Sequence, residues 1–520
     1  MNQGTGPHRM DELPPITRMA LGGLMALGAS LSWAQTQSTR VQASLNVQAT
    51  AIHTTAPVAG VKPGSDLILS AVPGITVTSK GVNTQIEAQG QLNALNYTRG
   101  TQPDRVLPSG DFRLRTGTGA GGPGLDVSAS VSQVRSTLAA RPSDTPSTSD
   151  AFTNTIIRVS PFWDKELDSQ TTASVRLDRT VLHTDEVGPG LVARPDSHLS
   201  NDSLRLSRRP TPLGYRLEWH QQQTKVSGQA DPSLNERIGR VTALYAPGPE
   251  IEMGLSVGRG SNRVAANTIT ETTHGAQLQW RPTDRTVLKS EVENRFYGRS
   301  WLVDASHRTP WLAFGLQADR TATTYASTIG NVANGGSLRT LYDALLTTRI
   351  PNEADRRRAV DDMVVRRNLS GQVSTSGDVY DVAAQLRQST TGRVAIMGRR
   401  DVVIFAGGLV RTGPLNTDAA APSLIAGTRT KEYYFDAQVN HQLTTYSTVS
   451  TGLRWTRAWT TPTDTGAATL SRDFTWRASL NTTLSPQTTA TMGLRRQLTH
   501  NPSTTTNDEA AMFVGLGHRF

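Results

Sequence analysis

Cysteine is absent from all 520 residues. Its absence removes thiolate-bound zinc, iron–sulfur clusters and thiol nucleophiles, and suits an exported chain, which avoids stray thiols in an oxidising compartment. Lysine is scarce too, so the 53 basic residues are nearly all arginine. Aromatic residues make up only 6% of the chain. Past the N-terminal segment there is no apolar run of about 18 residues, which excludes spanning helices. A hydrophobic content of 36% and a mean hydropathy of −0.38 are also too polar for a helical membrane protein. Catalytic signatures are missing: there is no HExxH and no G-x-S-x-G. The glycine-rich stretch 117–124 lacks the Lys-Ser/Thr of a phosphate loop and reads as a turn. His183 with Asp185 and Glu186, His198 with Asp202, and His441 come without a nucleophile motif. The sequence therefore predicts no enzyme, no catalytic or cofactor-binding residue and no metal site.

The formal charge is +10. Its arginines are scattered and form no stripe, which argues against nucleic acid. Scattered arginine suits an exported barrel with an Arg-lined lumen, biased toward anionic solutes or lipid phosphates. Residues 1–34 read as a secretory signal. Arg9 and Arg18 supply positive charge, an apolar core follows over 19–31, and Ser32-Trp33-Ala34 places small residues before Gln35.

From residue 35 onward, stretches of alternating polarity recur. Leu213, Tyr215, Leu217 and Trp219 alternate with Arg216, Glu218 and His220; Ile251, Met253, Leu255 and Val257 alternate with Glu252, Gly254, Ser256 and Gly258. Period-two alternation marks strands with one apolar face. Over 286–296, Leu288, Val292 and Phe296 oppose Lys289, Glu291, Glu293 and Arg295. A strand face with four charges must meet water. Connections alternate between tight, as at 209–212, 281–284 and 484–487, and long, as at 137–152, 183–199 and 499–508. Gly377-Asp378 reads as another tight turn. Short turns on one side and long loops on the other are the rhythm of an outer-membrane barrel. The last strand alternates to a terminal aromatic, with Met512, Val514, Leu516 and Phe520 on one parity, and reads as the closing strand and assembly signal.

These observations predict an all-β protein located in the cell outer membrane: one large antiparallel transmembrane β-barrel over 35–520, of about 22 strands (20–24). One segment, 337–367, is helical in pattern. Leu338, Leu341, Leu345 and Leu346 share a helix face, Pro351 interrupts, and Ala359, Met363 and Val364 resume it. It reads as a helical hairpin lid in an external connection, over the mouth or folded into the lumen, with Arg356, Arg357 and Arg358 as basic residues of lid or lumen. The apolar stretch 402–411 disturbs the turn phase, so 389–430 reads as one elaborated external loop; the rival reading is two further crossings. Tryptophans 163, 219, 280, 301, 311, 455 and 476 are expected at strand ends as interfacial girdles.

Four stretches, AVPGITVTSKGVNTQIEAQGQLNALNYTRG (71–100), IRVSPFW (157–163), WRPTDRTVLKSEVENRFYGRSWLVDASHRT (280–309) and LYDALLTTRIPNEADRRR (341–358), resemble the outer-membrane proteins associated with PEP-CTERM sorting systems. The segment before Gly64 departs from the pattern, since His53-Thr54-Thr55 stands where a turn with Tyr and Asn is usual. The resemblance implies an outer-membrane barrel in bacteria that commonly make exopolysaccharide, and carries no catalytic residues. About 22 strands would enclose a wide lumen, so the expected function is a channel or export-associated conduit linked to exopolysaccharide, or else a non-conducting structural or surface-binding protein. Expected partners are outer-membrane lipid, the barrel-assembly machinery and polysaccharide-export components, with no nucleic acid.

Overall fold

Twenty-two strands run as one antiparallel meander, each paired with its sequence neighbours, and β1 pairs with β22 to close the ring. The computed structural model describes residues 38–55, 63–119, 121–135, 151–186, 195–229, 233–264, 267–328, 338–347, 350, 352, 356, 359–360, 384–415, 428–462, 468–500 and 507–520. The secretory signal 1–34, the turn at Gly377-Asp378 and the residues Arg357 and Arg358 lie outside the described residues.

In chain order the strands are β1 (Ser38–Thr54), β2 (Gly64–Lys80), β3 (Thr84–Tyr97), β4 (Arg105–Gly117), β5 (Pro123–Arg135), β6 (Ala151–Glu166), β7 (Thr171–Glu186) and β8 (Ser197–Arg208). Next come β9 (Leu213–Val226), β10 (Leu234–Gly248), β11 (Ile251–Val264), β12 (Asn267–Thr283), β13 (Thr286–Arg295), β14 (Gly298–Arg308) and β15 (Leu312–Thr323). A connection over 324–384 carries helix α1 (Leu338–Leu346). The ring is completed by β16 (Gln385–Met397), β17 (Asp401–Pro414), β18 (Thr428–Gln442), β19 (Ser447–Pro462), β20 (Thr469–Ser485), β21 (Thr488–His500) and β22 (Asn507–Arg519).

Every connection after an even-numbered strand is tight, as at 81–83, 209–212, 249–250, 398–400 and 486–487. Side chains close these turns. The Asp168 carboxylate accepts the Gln170 and Thr171 amides, each at 2.7 Å, and the Gln170 amide above all holds its pKa below the usual carboxylate range. Connections after odd-numbered strands are mostly long, with 265–266 and 296–297 as short exceptions. At the second, Gly298 takes a φ of 94°, which only glycine adopts without strain.

Directly opposed residues share a face, so the register fixes which side chains look outward. On β22, Met512, Val514 and Leu516 face out at 57%, 51% and 49% exposure, and the terminal Phe520 is 67% exposed. Phe513, which disturbs the sequence alternation, faces inward beneath the Arg477 guanidinium at 4.7 Å. His518 turns outward and meets Phe520 edge-on at 4.7 Å.

The stretch 389–430 is not an external loop. β16 and β17 are full wall strands, paired with β15 and β18 through a tight turn at 398–400. The physical reason for the misreading is that β17 is apolar on both faces. Phe405 faces out, whereas Val402, Ile404 and Val410 face in and are buried. The tryptophans follow the girdle expectation only in part. Trp163, Trp280 and Trp311 lie by the tight turns and Trp301 near the opposite rim, but Trp219, Trp455 and Trp476 sit mid-strand.

A charge on the outward face of the closing strand must cost stability, because that face has no water. Val514→Arg is expected to destabilise the barrel by about 2–4 kcal/mol, while the lumen-facing Asn46→Arg changes little. Urea titration of folded protein in detergent micelles reads the difference.

Candidate functional site: the lumen and its inward fold

Hydrophobic side chains large enough to matter are exposed mainly on the outward parity: Val41, Leu69, Tyr215, Val257, Phe405, Trp455 and Met492 among them. An apolar exterior on a closed sheet is the form that crosses an outer membrane, because a closed ring leaves no backbone group unpaired in lipid. The protein is an integral outer-membrane β-barrel. Mid-wall, Arg179 and Asp202 interrupt the apolar face and neutralise each other. No described helix is long and apolar enough to span the bilayer.

The inward face is charged, and its charges are compensated. Arg158 meets Asp178 at 2.7 Å, Arg176 meets Asp126 at 3.2 Å, Arg205 meets Glu218 at 2.8 Å, and Arg495 meets Glu509 at 2.5 Å. The four charges noted on β13 do face inward, but Arg295 and Glu293 are not simply solvated. Arg295 forms ion pairs with Glu236 on β10, with Glu271 on β12 at 3.3 Å and with Glu293 at 3.4 Å. Arg240 adds a 2.6 Å contact to Glu293. Glycine on β11 makes this possible. A Cβ at Gly260 would meet the Glu271 carboxylate at 2.9 Å, and one at Gly258 would strike Thr273 Oγ1 at 2.8 Å. Side chains from β10, β12 and β13 therefore close over β11. Sequence alternation marked Glu293 and Arg295 as inward, and the Gly254-x-x-x-Gly258-x-Gly260 spacing was the available signal for the crossing.

A ring of 22 strands, spaced ~4.8 Å and tilted about 40°, would be roughly 40 Å across if circular. Wall side chains cannot fill that width, and the connection after β15 folds into it. Thr324 Oγ1 and Ser327 cap a single helical turn reciprocally: Ser327 N–H donates to Thr324 at 3.3 Å, and Thr324 N–H donates to Ser327 Oγ at 3.0 Å. That turn crosses to β6, β7 and β9. Asn154 Nδ2 donates to the Tyr325 hydroxyl at 2.9 Å, Thr184 donates to Asn154 at 2.9 Å, and Tyr325 and Ala326 pack on Ile156, Leu182 and Val226.

α1 then descends toward the tight-turn rim. Tyr342 and Leu345 are fully buried, with Leu346 and Val360, against the inward residues Ala313, Ala395, Met397, Val402, Ile404 and Ala406. These wall residues lie within a few positions of the tight turns at 309–311 and 398–400. Burying each large side chain is worth about 1.5–3 kcal/mol, enough to hold the helix in place. Arg356 does not reach the lumen water as a free cation. Its Nε donates to Asp343 at 2.7 Å and its Nη1 to the Ile350 carbonyl at 3.1 Å, which ties the two arms of the insert together. Tyr342 was missed in the sequence. It stands three residues before Leu345, one helical turn away on the same face.

Of the histidines considered, His183 lies between Asp196 (2.6 Å) and Asp185 (2.9 Å), so both ring nitrogens are engaged. His198 faces outward, and Asp202 is engaged by Arg179. His441 pairs with Asp401 at 2.6 Å by a tight turn. Among the described residues no three His, Asp or Glu side chains gather as a metal site. The assembly-signal residues Met512, Val514, Leu516 and Phe520 stand together on the outer surface.

Removing the Arg295 guanidinium would leave Glu236 and Glu271 buried without their cation. Arg295→Ala is expected to cost about 3–5 kcal/mol, and Arg295→Lys less, in the same denaturation measurement.

No protein-family model matches this sequence, and no curated protein does. The chain is similar to solved structures at low scores. Pseudomonas aeruginosa OccK5 (OpdH) is 7% identical, with 92% of this chain and 98% of that one covered and a TM-score of 0.34. P. aeruginosa OpdK with vanillate is 6% identical, with 92% and 99% covered and a TM-score of 0.34. Acinetobacter baumannii OccAB1 is 9% identical, with 92% and 97% covered and a TM-score of 0.33. Likeness at this level says nothing of ligand or activity.

Proposed function

We propose that the protein is a non-enzymatic outer-membrane channel whose conductance is restricted by its own inward-folded connection. The observation that carries this reading is α1, buried on an apolar seat inside a lumen whose wall also carries paired charges. A wall lined with paired Arg and Asp/Glu side chains offers hydrogen bonds to hydrophilic solutes without a strong net field. The expectation of an Arg-lined, anion-biased lumen gives way here to a balanced one, in which carboxylates keep pace with arginines. The cargo we propose is an extracellular polysaccharide, handed on by export components of a PEP-CTERM-type system. The family resemblance supports that cargo, and so does the barrel's width. Assembly through the C-terminal strand, with the barrel-assembly machinery as partner, belongs to the same reading.

The completeness of the α1 burial favours a second reading, in which the barrel is closed and serves as a structural or surface-binding protein. Conductance separates the two. In planar bilayers, Ile404→Asp or a Tyr342→Ala/Leu345→Ala pair unseats α1 and is expected to raise single-channel conductance severalfold, with a reversal potential near zero in a salt gradient. No conductance in wild type or in the unseated variants would leave the structural reading standing.

A further inference from the structure

The outer surface carries a feature that the lumen does not explain. Near the long-loop rim, β17 to β20 point Arg411, Lys431, Arg457 and Arg472 outward, toward lipid. Arg411 stands directly opposite Lys431, and Arg457 directly opposite Arg472. Like charges facing each other across a sheet are destabilising. Among the described residues none of the four forms an ion pair with a carboxylate, and Arg457 Nε has no hydrogen-bond partner. Many arginines elsewhere in the wall meet carboxylates, as at Arg158–Asp178 and Arg496–Asp508. Two uncompensated like-charge pairs on four consecutive strands are costly unless an anion joins them.

Aromatic rings fix two of these cations in place. The Lys431 ammonium lies 5.0 Å from the Tyr433 ring and 5.8 Å from Trp459, and the Arg457 guanidinium lies 4.4 Å from Trp459. Tyr433 and Trp459 pack edge-on at 5.7 Å. Arg429, Lys431 and Trp459 border an open groove of about 310 Å³ at the rim. Directly below, on the same outward face, the surface turns apolar: Phe405 stacks on Phe435 at 6.4 Å, and Trp455 is exposed beside them.

We infer that this patch binds a phosphorylated glycolipid of the outer leaflet, with the phosphates among Arg411, Lys431, Arg457 and Arg472 and the acyl chains along Phe405, Phe435 and Trp455. Charge complementarity identifies the head group, since guanidinium and ammonium groups on a rigid strand frame hold phosphate oxygens by charge-assisted hydrogen bonds. Position identifies the body. The cations sit on the lipid side of the wall and continue into the apolar belt, so an occupant needs a phosphorylated head and a hydrocarbon tail. A soluble phosphate would satisfy only half of the surface.

The test uses the full chain folded in detergent micelles, with diphosphorylated lipid A as probe. Substituting all four cations (R411Q, K431Q, R457Q, R472Q) is expected to weaken lipid A binding by at least about tenfold. Lys165→Gln, on the outward face near the opposite rim, is expected to leave it unchanged. Dephosphorylated lipid A should bind wild type as weakly as lipid A binds the variant. Without lipid, the four-fold variant is expected to be at least as resistant to urea as wild type, since it loses two repulsive pairs. Equal lipid A binding by variant and wild type would overturn the proposal. Tight binding of the dephosphorylated lipid would also overturn it, as would full displacement of lipid A by millimolar inorganic phosphate.

Discussion

Closure of the ring is the constraint on which everything else depends. In hydrocarbon an unpaired backbone amide or carbonyl has no water to fall back on, so a sheet can cross only if its first and last strands meet. Here β1 and β22 meet in register from Ser44–Arg519 to Thr54–Glu509. Because opposed residues share a face, that one pairing carries a single inside and outside through all twenty-two strands. The apolar exterior, the compensated lumen and the basic patch on the rim all follow from this parity.

Closure on this scale creates a second problem, a lumen too wide for its own side chains. The chain meets it by sending the connection after β15 inward instead of outward. The turn at Thr324–Ser327 is held by hydrogen bonds to the far wall, and α1 is held by apolar burial on β15 to β18. A polar anchor near one rim and an apolar anchor near the other hold the described parts of the insert. The net charge of +10 is distributed by the same logic. Many arginines that look inward meet carboxylates, and part of the excess looks outward at the long-loop rim.

The barrel itself was legible in the sequence because the membrane imposes period two on one face and leaves water on the other. β9, β11 and β22 show it plainly, and the alternation of tight and long connections gave the phase. β17 was not legible, since Val402 and Ile404 face a helix rather than water and their strand loses its polar parity. Knowing that the seat of an inward helix must be apolar would have turned that stretch from a loop into a wall strand. The Arg295 cluster was half legible. Alternation showed that Glu293 and Arg295 face inward, but which charges meet depends on glycines of a strand between them. The mid-strand tryptophans escaped prediction because these strands extend beyond the hydrocarbon layer, so a strand's end is not the membrane's edge.

The absence of native cysteine makes the central claim directly measurable. Single cysteines placed along 402–410, spin-labelled and examined in bilayers, report collision with oxygen in lipid and with a water-soluble nickel chelate. Positions 403, 405 and 409 are expected to collide with oxygen, and positions 402, 404, 406 and 410 with neither reagent, because they are buried in the apolar cluster that includes α1. Nickel access at 402 and 404, or a loss of the two-residue period, would contradict the inward-folded barrel described above.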